Sequence, residues 1–356
     1  MLSELKENTP SASYWKDDRY FVLDQLLLPQ EVKYIECRKP LDIVKAIVDM
    51  NLRGAPLIGA AASAAAALFF LETSKENGSS FYELTEMLFN TRPTAVNLKN
   101  VLSESILIFE KNIGNSSNEK MFEIFRNFSI EVHRRDKERN YIMGEKGAHF
   151  ISDMMKNRKI NVLTHCNAGA LATCGYGTAL GVVRSLHSKG LINNVWIDET
   201  RPYLQGSRIT AFEMEKESIP HKIITDSSAA WIMHKKLVDV IVVGADRVAL
   251  NGDIANKIGS YSLAVNAKYH GIPFISVMPV ETFDMETADG SHIVIEERSD
   301  KELLMFNGKT TSPQGSTGYH IGFDVVPSSL INAIVTEKGV AESNITAEKI
   351  RGIFYG

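Results

Sequence analysis

Asp246 is the residue whose type and position most clearly suggest chemistry. It follows the apolar run Val240–Val243 through a Gly-Ala pair, and a β-branched run bounded by glycine predicts a buried strand. Open α/β sheets bind ligands at the carboxyl ends of their strands, so we expect this carboxylate to face a ligand crevice. Asn256 and Lys257 follow shortly afterwards, ahead of a helical pattern. The sequence therefore predicts an acid, an amide and a cation at one place.

Cys166 is the second candidate, because it closely follows the strand predicted at 159–164. A lone cysteine is commonly a small buried hydrophobe, and Cys37 and Cys174 fit that interpretation, with Cys174 inside a helix predicted to follow. At position 166 the flanking polar residues, His165 and Asn167, and the amide end of the next helix favour a functional thiol instead.

Two arginines lie beside predicted helix starts in the first part of the chain. Arg53 precedes an Ala-rich helix, and Arg92 precedes the helix predicted at 96–111. Free N–H groups at a helix amino terminus bind phosphate well, and a neighbouring arginine strengthens the site. An anion pocket of this kind could be completed from the second part of the chain by Gln205, Asn256 and Lys257.

The glycines of residues 175–181 raise the possibility of dinucleotide binding, with Asp198 as a ribose ligand. Their spacing is Gly-x-Gly-x-x-x-Gly, however, and the first glycine lies well past the preceding strand. The dinucleotide fingerprint requires its glycines in the strand-to-helix turn itself. Close helix packing is therefore the better interpretation, and a nicotinamide cofactor is not expected.

The elements that must position these residues alternate between strand and helix. Further strands are predicted at 194–197, 221–225 and 273–277, each followed by polar or small residues. This alternation predicts an α/β fold with a Rossmann-like, mostly parallel, doubly wound sheet at 146–356. Residues 1–145 read as a smaller, mostly helical amino-terminal domain, and 284–317 as an irregular arm or flap.

Composition excludes several classes of protein. The net charge of −4, without any basic run, does not support a nucleic-acid surface. The nine histidines show no metal-ligand spacing, so neither metal nor cofactor is expected. The three cysteines form no C-x-x-C, the amino terminus lacks the apolar core of a signal peptide, and the apolar segment 57–71 falls short of a bilayer span of ~20 residues. We expect a cytoplasmic protein that does not bind membranes.

Taken together, the motifs resemble those of the 5-methylthioribose-1-phosphate isomerase family, which is related to the regulatory subunits of the translation-initiation guanine-nucleotide exchange factor. The resemblance covers nearly the whole chain and rests on the segments beginning at Arg53, Arg92, Thr164, Asp198, Leu204, Thr225, Gly244 and Asn256. It implies that Cys166 and Asp246 are catalytic. It also implies a sugar-phosphate substrate, a homodimer, and binding of the phosphate by Arg53, Gly54, Ala55, Arg92, Gln205, Asn256 and Lys257. The reaction needs a protonated carboxyl group, so we expect burial to raise the pKa of Asp246.

The chain departs from the family pattern at its periphery, and the amino-terminal Trp-Asp-Gly-type opening of the family is weak in it. The family reads Asn-Pro-Ala-Phe-Asp where this chain has the segment His320-Ile321-Gly322-Phe323-Asp324, and Ala-Pro where it has Ser312-Pro313. These departures leave the 5-substituent of the sugar open, and a 5-deoxyribose-1-phosphate isomerase is the alternative. A non-catalytic subunit that binds nucleotide or sugar phosphate is the alternative of another class, and it predicts loss of Cys166 or Asp246.

Overall fold

The computed structural model describes residues 8–72, 78–92, 95–342 and 344–355. Its first part opens with an antiparallel sheet of three strands: β1 (Ser13–Lys16), β2 (Arg19–Leu23) and β3 (Tyr34–Cys37). Five helices follow: α1 (Pro40–Val48), α2 (Ala55–Glu72), α3 (Gly78–Thr91), α4 (Val96–Asn112) and α5 (Asn118–Met154). The Ala-rich helix predicted after Arg53 and the helix predicted at 96–111 are present as α2 and α4.

Helix α2 is the centre of this part. Eight of its 18 residues are alanine, so α4 and α5 can approach closely. The aromatic rings of Phe70, Phe81, Phe109 and Phe125 fill the space at its carboxyl end. The helix is longer than the segment 57–71. By length and composition alone its 18 residues could cross a membrane, but 83% of them are buried inside the protein. Burial of this extent is typical of a core helix.

Helix α5 is 37 residues long and reaches from the amino-terminal helices to the sheet that follows. Gly144 and Gly147 lie where it meets the next helix, and a Cβ at Gly147 would be 2.5 Å from the Val182 side chain. Residue 145, the predicted domain boundary, lies inside this helix. The division of the chain into two domains there stays a prediction.

The second part is built on a seven-stranded sheet in the order β16-β15-β10-β7-β4-β5-β6. All pairs are parallel except that of β15 with β16. The strands are β4 (Ile160–His165), β5 (Ile192–Glu199), β6 (His221–Thr225), β7 (Val240–Val243), β10 (Phe274–Val277), β15 (Ala333–Val335) and β16 (Val340–Glu342). The sheet is flanked by α6 (Ala179–Ser188), α7 (Ala211–Lys216), α8 (Ala229–His234), α9 (Ser260–His270) and α11 (Ala347–Tyr355).

This topology confirms the predicted Rossmann-like α/β fold. The chain builds β4, β5 and β6 outward in one direction and then returns to add β7, β10 and β15 in the other. The switch point therefore lies between β4 and β7, and a ligand crevice opens at such a point beyond the carboxyl ends of the strands. Cys166 follows β4 and Asp246 follows β7, so both candidate catalytic residues lie at the switch point.

A second, smaller sheet was not predicted. It has the order β11-β8-β9-β14 and is formed by β8 (Arg247–Ala249), β9 (Ile254–Lys257), β11 (Phe283–Asp284) and β14 (Phe323–Val326). The flap expected at 284–317 begins with the last residue of β11. It then contains a 3-10 turn (Gly290–His292), the short helix α10 (Lys301–Leu304) and the hairpin of β12 (Met305–Phe306) with β13 (Lys309–Thr310). Arg201 binds this segment to the rest of the protein. The Arg201 guanidinium donates to the carbonyls of Glu302 and Met305 at 2.9 Å each.

The predicted helix around Cys174 is wrong. A short 3-10 turn at Ala170–Ala172 is followed by irregular backbone, and α6 begins only at Ala179. Gly175 and Gly177 have positive φ angles of 136° and 82°, and a Cβ at Gly177 would be 2.5 Å from the Gly169 backbone. These glycines fold the segment back on itself, which a continuous helix does not allow.

Candidate active site

The nine residues singled out from the sequence line a single cavity at the switch point. They come from the start of α2, the residues before α4, the ends of β4, β7 and β9, and the segment before α7. They are Arg53, Gly54, Ala55, Arg92, Cys166, Gln205, Asp246, Asn256 and Lys257. Groups scattered over some 200 positions of the sequence thus meet in one place. The same walls include apolar residues that the sequence did not suggest: Met50, Ile58, Ala95, Pro279 and Phe323.

Cys166 lies in a constrained turn. Its φ angle is +59°, a left-handed conformation that costs free energy for a residue with a side chain and recurs at functional sites. The Thr210 hydroxyl donates to the Cys166 carbonyl at 2.5 Å. A Cβ on Gly244 would be only 2.9 Å from the Ala168 methyl group, so the end of β7 packs directly against this turn. The turn therefore holds the thiol, 9% exposed, at the wall of the cavity.

Arg53 supports the Cys166 turn from behind. Its side chain is buried and donates to the Asn167 carbonyl at 3.0 Å, to the Asn167 side-chain oxygen and to Gln25 Oε1 at 3.2 Å. Burial lowers the pKa of Arg53, against the opposing influence of Cys166, Glu213 and Asp246. The arginine thus brings positive charge to the cavity while most of its donors are used within the protein.

The start of α2 closes against the same turn. Gly54 has a φ angle of +103°, and a Cβ there would lie 2.3 Å from the Ala172 carbonyl oxygen. Only glycine fits so close to another backbone. Gly54 and Ala55 therefore bring the amide end of α2 into the cavity wall, which is the arrangement that favours a phosphate group.

Glu213 is a supporting residue that the sequence analysis missed. Its buried carboxylate accepts from Asn167 Nδ2 at 2.9 Å, from the Ala170 and Leu171 amides at 2.8 and 3.2 Å, and from Arg184 at 2.8 Å. Four donors on one carboxylate fix the backbone after Cys166. A signal was present in the sequence, since a glutamate and an arginine interrupt the apolar faces of α7 and α6.

Asp246 has the electrostatic environment expected of a general acid. Its backbone N–H donates to the Ala255 carbonyl at 2.9 Å, which ties it to β9. Burial raises the pKa of the carboxyl group to about 6, although Lys257 and then Arg53 act in the opposite direction. The expected rise is therefore confirmed. A carboxyl group with this pKa is partly protonated near neutral pH and can donate a proton.

Asn256 and Lys257 reach the cavity from the carboxyl end of β9. The Lys257 ammonium lies 5.0 Å from the centre of the Phe323 ring, and it forms no ion pair with the residues that the structure describes. Asn256 Nδ2 donates to the Ser260 hydroxyl at 3.0 Å. Gln205 Oε1 accepts from Thr200 at 3.3 Å. The lysine is thus the cation of the cavity with the fewest competing partners.

Arg92 lies where this cavity adjoins a smaller pocket. Both are lined by Met50, Arg92, Lys257 and Phe323, and the smaller one is completed by Tyr203, Arg298 and His320 among others. Burial lowers the pKa of Arg92, and nearby Arg298 acts in the same direction. Arg298, however, donates to both oxygens of Glu302 at 2.6 and 2.8 Å. Its charge is therefore neutralised within the protein.

The segment that departs from the family pattern lies beside these residues. His320 is buried, with Nε2 2.9 Å from Glu302 Oε2, and the Gly322 carbonyl accepts from the Ile258 amide at 3.0 Å. Asp324 accepts from the Gly259 amide at 2.8 Å. The departures therefore surround the turn that follows Lys257.

The residues that raised the possibility of dinucleotide binding make contacts within the protein. Asp198, the possible ribose ligand, is buried and bonded to His165. Gly181 packs in α6 against Tyr176, in agreement with a packing role. In the described part of the chain, no group of three or more His, Cys, Asp and Glu side chains could hold a metal ion.

Comparison with known proteins agrees with this architecture. The model of the Initiation factor 2 subunit family matches residues 51–343. Methylthioribose-1-phosphate isomerase of Caldicellulosiruptor saccharolyticus is 46% identical over 341 residues, covering 94% of this chain and 98% of that protein. The Zea mays enzyme of the same name is 44% identical over 329 residues, covering 90% of each.

Two solved structures extend the comparison. The 5-methylthioribose 1-phosphate isomerase of Pyrococcus horikoshii superposes with a TM-score of 0.88 at 37% identity, covering 99% of each chain. The delta subunit of translation initiation factor eIF-2B from A. fulgidus gives a TM-score of 0.81 at 35% identity, covering 96% of this chain and 99% of that one.

Proposed function

The chain belongs to the Initiation factor 2 subunit family, and within it we propose an aldose-ketose isomerase that converts 5-methylthioribose 1-phosphate into 5-methylthioribulose 1-phosphate, a step of methionine salvage. The family resemblance predicted from the motifs is confirmed by relatives at 43–46% identity over nearly the full chain. The observation that carries the proposal is the shared cavity, in which Cys166 and a carboxyl group of raised pKa lie beside a cluster of anion-binding groups.

Asp246 is the proposed general acid. The phosphate on C1 prevents simple opening of the ring to a free aldehyde, so the ring oxygen must be protonated while positive charge develops at C1. A protonated Asp246 supplies that proton, and its apolar surroundings keep a fraction of the carboxyl group neutral. The ionised carboxylate that remains stabilises the cationic centre.

The hydrogen on C2 must then reach C1. In one route the Cys166 thiolate removes it as a proton, an enediol-like phosphate forms, and the proton returns to C1. In the other route it moves from C2 to C1 with its electron pair, and Cys166 shapes the site without exchanging a proton. In both routes the proton of the C2 hydroxyl leaves as the ketone forms and restores the carboxyl group of Asp246, so no external oxidant or reductant is needed. Both routes agree with the position of the thiol at the cavity wall.

Incubation of the purified chain with 5-methylthioribose 1-phosphate, without added cofactor, tests the proposal directly. We expect NMR to show the ketose phosphate accumulating. The same assay distinguishes the enzyme from a non-catalytic regulatory subunit, since such a subunit would bind the sugar phosphate without turning it over. Absence of ketose with a folded, phosphate-binding protein would favour the regulatory subunit.

Phosphate binding is proposed to depend on Arg92 and Lys257. We expect Arg92→Ala and Lys257→Ala each to weaken binding of inorganic phosphate, because charge-assisted contacts contribute about 1.5–3 kcal/mol each. Calorimetric titration measures the loss, and Lys120→Ala, on the exposed surface of α5, is the matched control. Unchanged affinity in both site variants would remove these residues from the site.

A 5-deoxyribose 1-phosphate isomerase is the alternative substrate class, and a comparison of three substrates separates the possibilities. Hydrophobic pockets discriminate a missing methylene-sized group by about 1–3 kcal/mol, so kcat/KM for 5-methylthioribose and 5-deoxyribose 1-phosphates should differ by at most about a hundredfold. Ribose 1,5-bisphosphate should be poor, because Arg298, the additional cation beside the cavity, is already paired with Glu302. If the bisphosphate were the best of the three, the proposed substrate class would be wrong.

A homodimer and a cytoplasmic location complete the proposal. Strand β6 is the outer strand of the seven-stranded sheet, and exposed apolar side chains lie on it and on α8, including Ile223 (47%) and Trp231 (59%). An exposed edge strand with apolar neighbours is a surface that a second copy could cover. Light scattering on the purified chain measures the mass, and a monomer at micromolar concentration would contradict the dimer.

A further inference from the structure

We propose that His165 is a positioning residue of the active site, which holds the Ile258 carbonyl and thereby fixes Lys257 beside the phosphate and Asp246. The inference rests on the proposed function, because it assigns His165 a task in the same phosphate site. No role in the chemistry described above requires this histidine.

His165 links two parts of the cavity wall. It is the last residue of β4, its side chain is 1% exposed, and it lines the cavity next to Cys166. Its Nδ1 lies 3.1 Å from Asp198 Oδ2 on the neighbouring strand β5, and its Nε2 lies 2.9 Å from the carbonyl oxygen of Ile258. A buried ring thus bridges the main sheet and the turn after β9.

Both partners of the ring are hydrogen-bond acceptors, which determines the proton on Nε2. Burial opposes the charged ring, but the hydrogen bond and charge of Asp198, together with the Ile258 carbonyl and the charge of Asp324, outweigh it and raise the pKa of His165. Burial also raises the pKa of Asp198. The Ile258 carbonyl can only accept a hydrogen bond, so Nε2 carries a proton and donates to it.

The turn formed by Ile258 and Gly259 packs directly against the His165 ring. Gly259 has a φ angle of +102°, and a Cβ there would lie 2.9 Å from Cε1 of His165. The Ile258 amide donates to Gly322, and the Gly259 amide donates to Asp324. The turn is thus held from two sides. The His165 imidazole contacts it from β4, whereas its two amide hydrogen bonds go to the segment around β14. Loss of the imidazole should release the turn on the side of the cavity.

Release of the turn should change two properties at once, because Lys257 directly precedes Ile258. The first is the affinity for phosphate, to which Lys257 is proposed to contribute. The second is the proton affinity of Asp246, which faces Lys257 from β9, Arg53 from the start of α2 and the Cys166 thiol after β4. Lys257 lowers the pKa of Asp246 more than Arg53 does, so its displacement should raise that pKa.

Two isosteric variants separate the two bonds of the ring. In His165→Asn the amide reaches about as far as Nδ1, so the bond to Asp198 can persist while that to Ile258 is lost. In His165→Gln the amide reaches about as far as Nε2 and can still donate to Ile258. We expect His165→Asn to bind inorganic phosphate about tenfold more weakly and His165→Gln to recover most of the loss. His149→Asn, at an exposed site on α5, is the control.

The pH dependence of kcat/KM is a second measurement. A purely structural role of His165 would leave this pH profile unchanged. The reaction needs protonated Asp246, so activity falls as the pH rises through the pKa of that group. In His165→Asn this limb should shift to higher pH, whereas His165→Gln should follow the wild type.

Several outcomes would overturn the inference. Wild-type phosphate affinity in His165→Asn would do so, as would equal losses in both variants. If His165→Asn failed to fold, a tenfold loss of phosphate affinity in a folded His165→Gln variant would also overturn the inference. Phosphate titration needs no turnover, so an inactive wild type that binds phosphate would contradict the proposed function and leave this test intact.

Discussion

Replacement of Asp246 by Asn is expected to lower kcat by about 10²–10⁴-fold while the protein remains folded. The amide has the size of the carboxyl group but cannot deliver an acidic proton to the ring oxygen. Steady-state assay of 5-methylthioribose 1-phosphate measures the loss. Asp153→Asn, on an exposed turn of α5, is the matched control. Activity close to that of the wild type in folded Asp246→Asn would contradict the assignment.

Asp246→Asn should lower kcat without lowering the stability of the folded protein. Because burial raises the pKa of Asp246 to about 6, the folded protein binds this proton more tightly than the unfolded chain does. Ionised Asp246 therefore destabilises the fold above about pH 6, and the penalty disappears as the pH falls from there toward the ordinary carboxyl value. At neutral pH we expect Asp246→Asn to be at least as stable as the wild type in chemical denaturation, with the difference vanishing in acid.

Replacement of Cys166 by Ser is the second large effect, with an expected loss of about 10²–10⁴-fold in kcat if the thiol transfers the proton. A serine hydroxyl is far less acidic than a thiol and is a poor source of the anionic base. The side chains are close in size, so the turn at Cys166 should be kept. Cys174→Ser, whose side chain does not line the cavity, is the control.

Isotopic labelling decides which task the thiol performs. With a substrate deuterated at C2, proton transfer through Cys166 should lose part of the deuterium to water, whereas a hydride shift should retain it at C1. Near-wild-type turnover in a folded Cys166→Ser variant would remove Cys166 from the chemistry under either route.

The sequence by itself determined the composition of the site and the elements that carry it. Short apolar runs located β4 and β7, and the residues that follow them, Cys166 and Asp246, lie at the switch point of the sheet. This was possible because a parallel sheet places the carboxyl ends of its strands on one edge whatever the details of packing. Short-range patterns and the fold class together were sufficient to assign the cavity.

The supporting contacts were decided only by the tertiary structure. Glu213 reaches the turn after Cys166, Asp324 caps the turn after Lys257, and His165 bridges strands to a loop 93 positions away. Nothing local marks such pairs, because each polar group finds its partner through the packing of distant elements. For the same reason the irregular backbone around Cys174 was predicted as helix: the contact of Gly177 with Gly169 overrides its local pattern. The raised pKa of Asp246 was expected from the required chemistry, but its size comes from a balance of burial, Lys257 and Arg53 that exists only in the folded cavity.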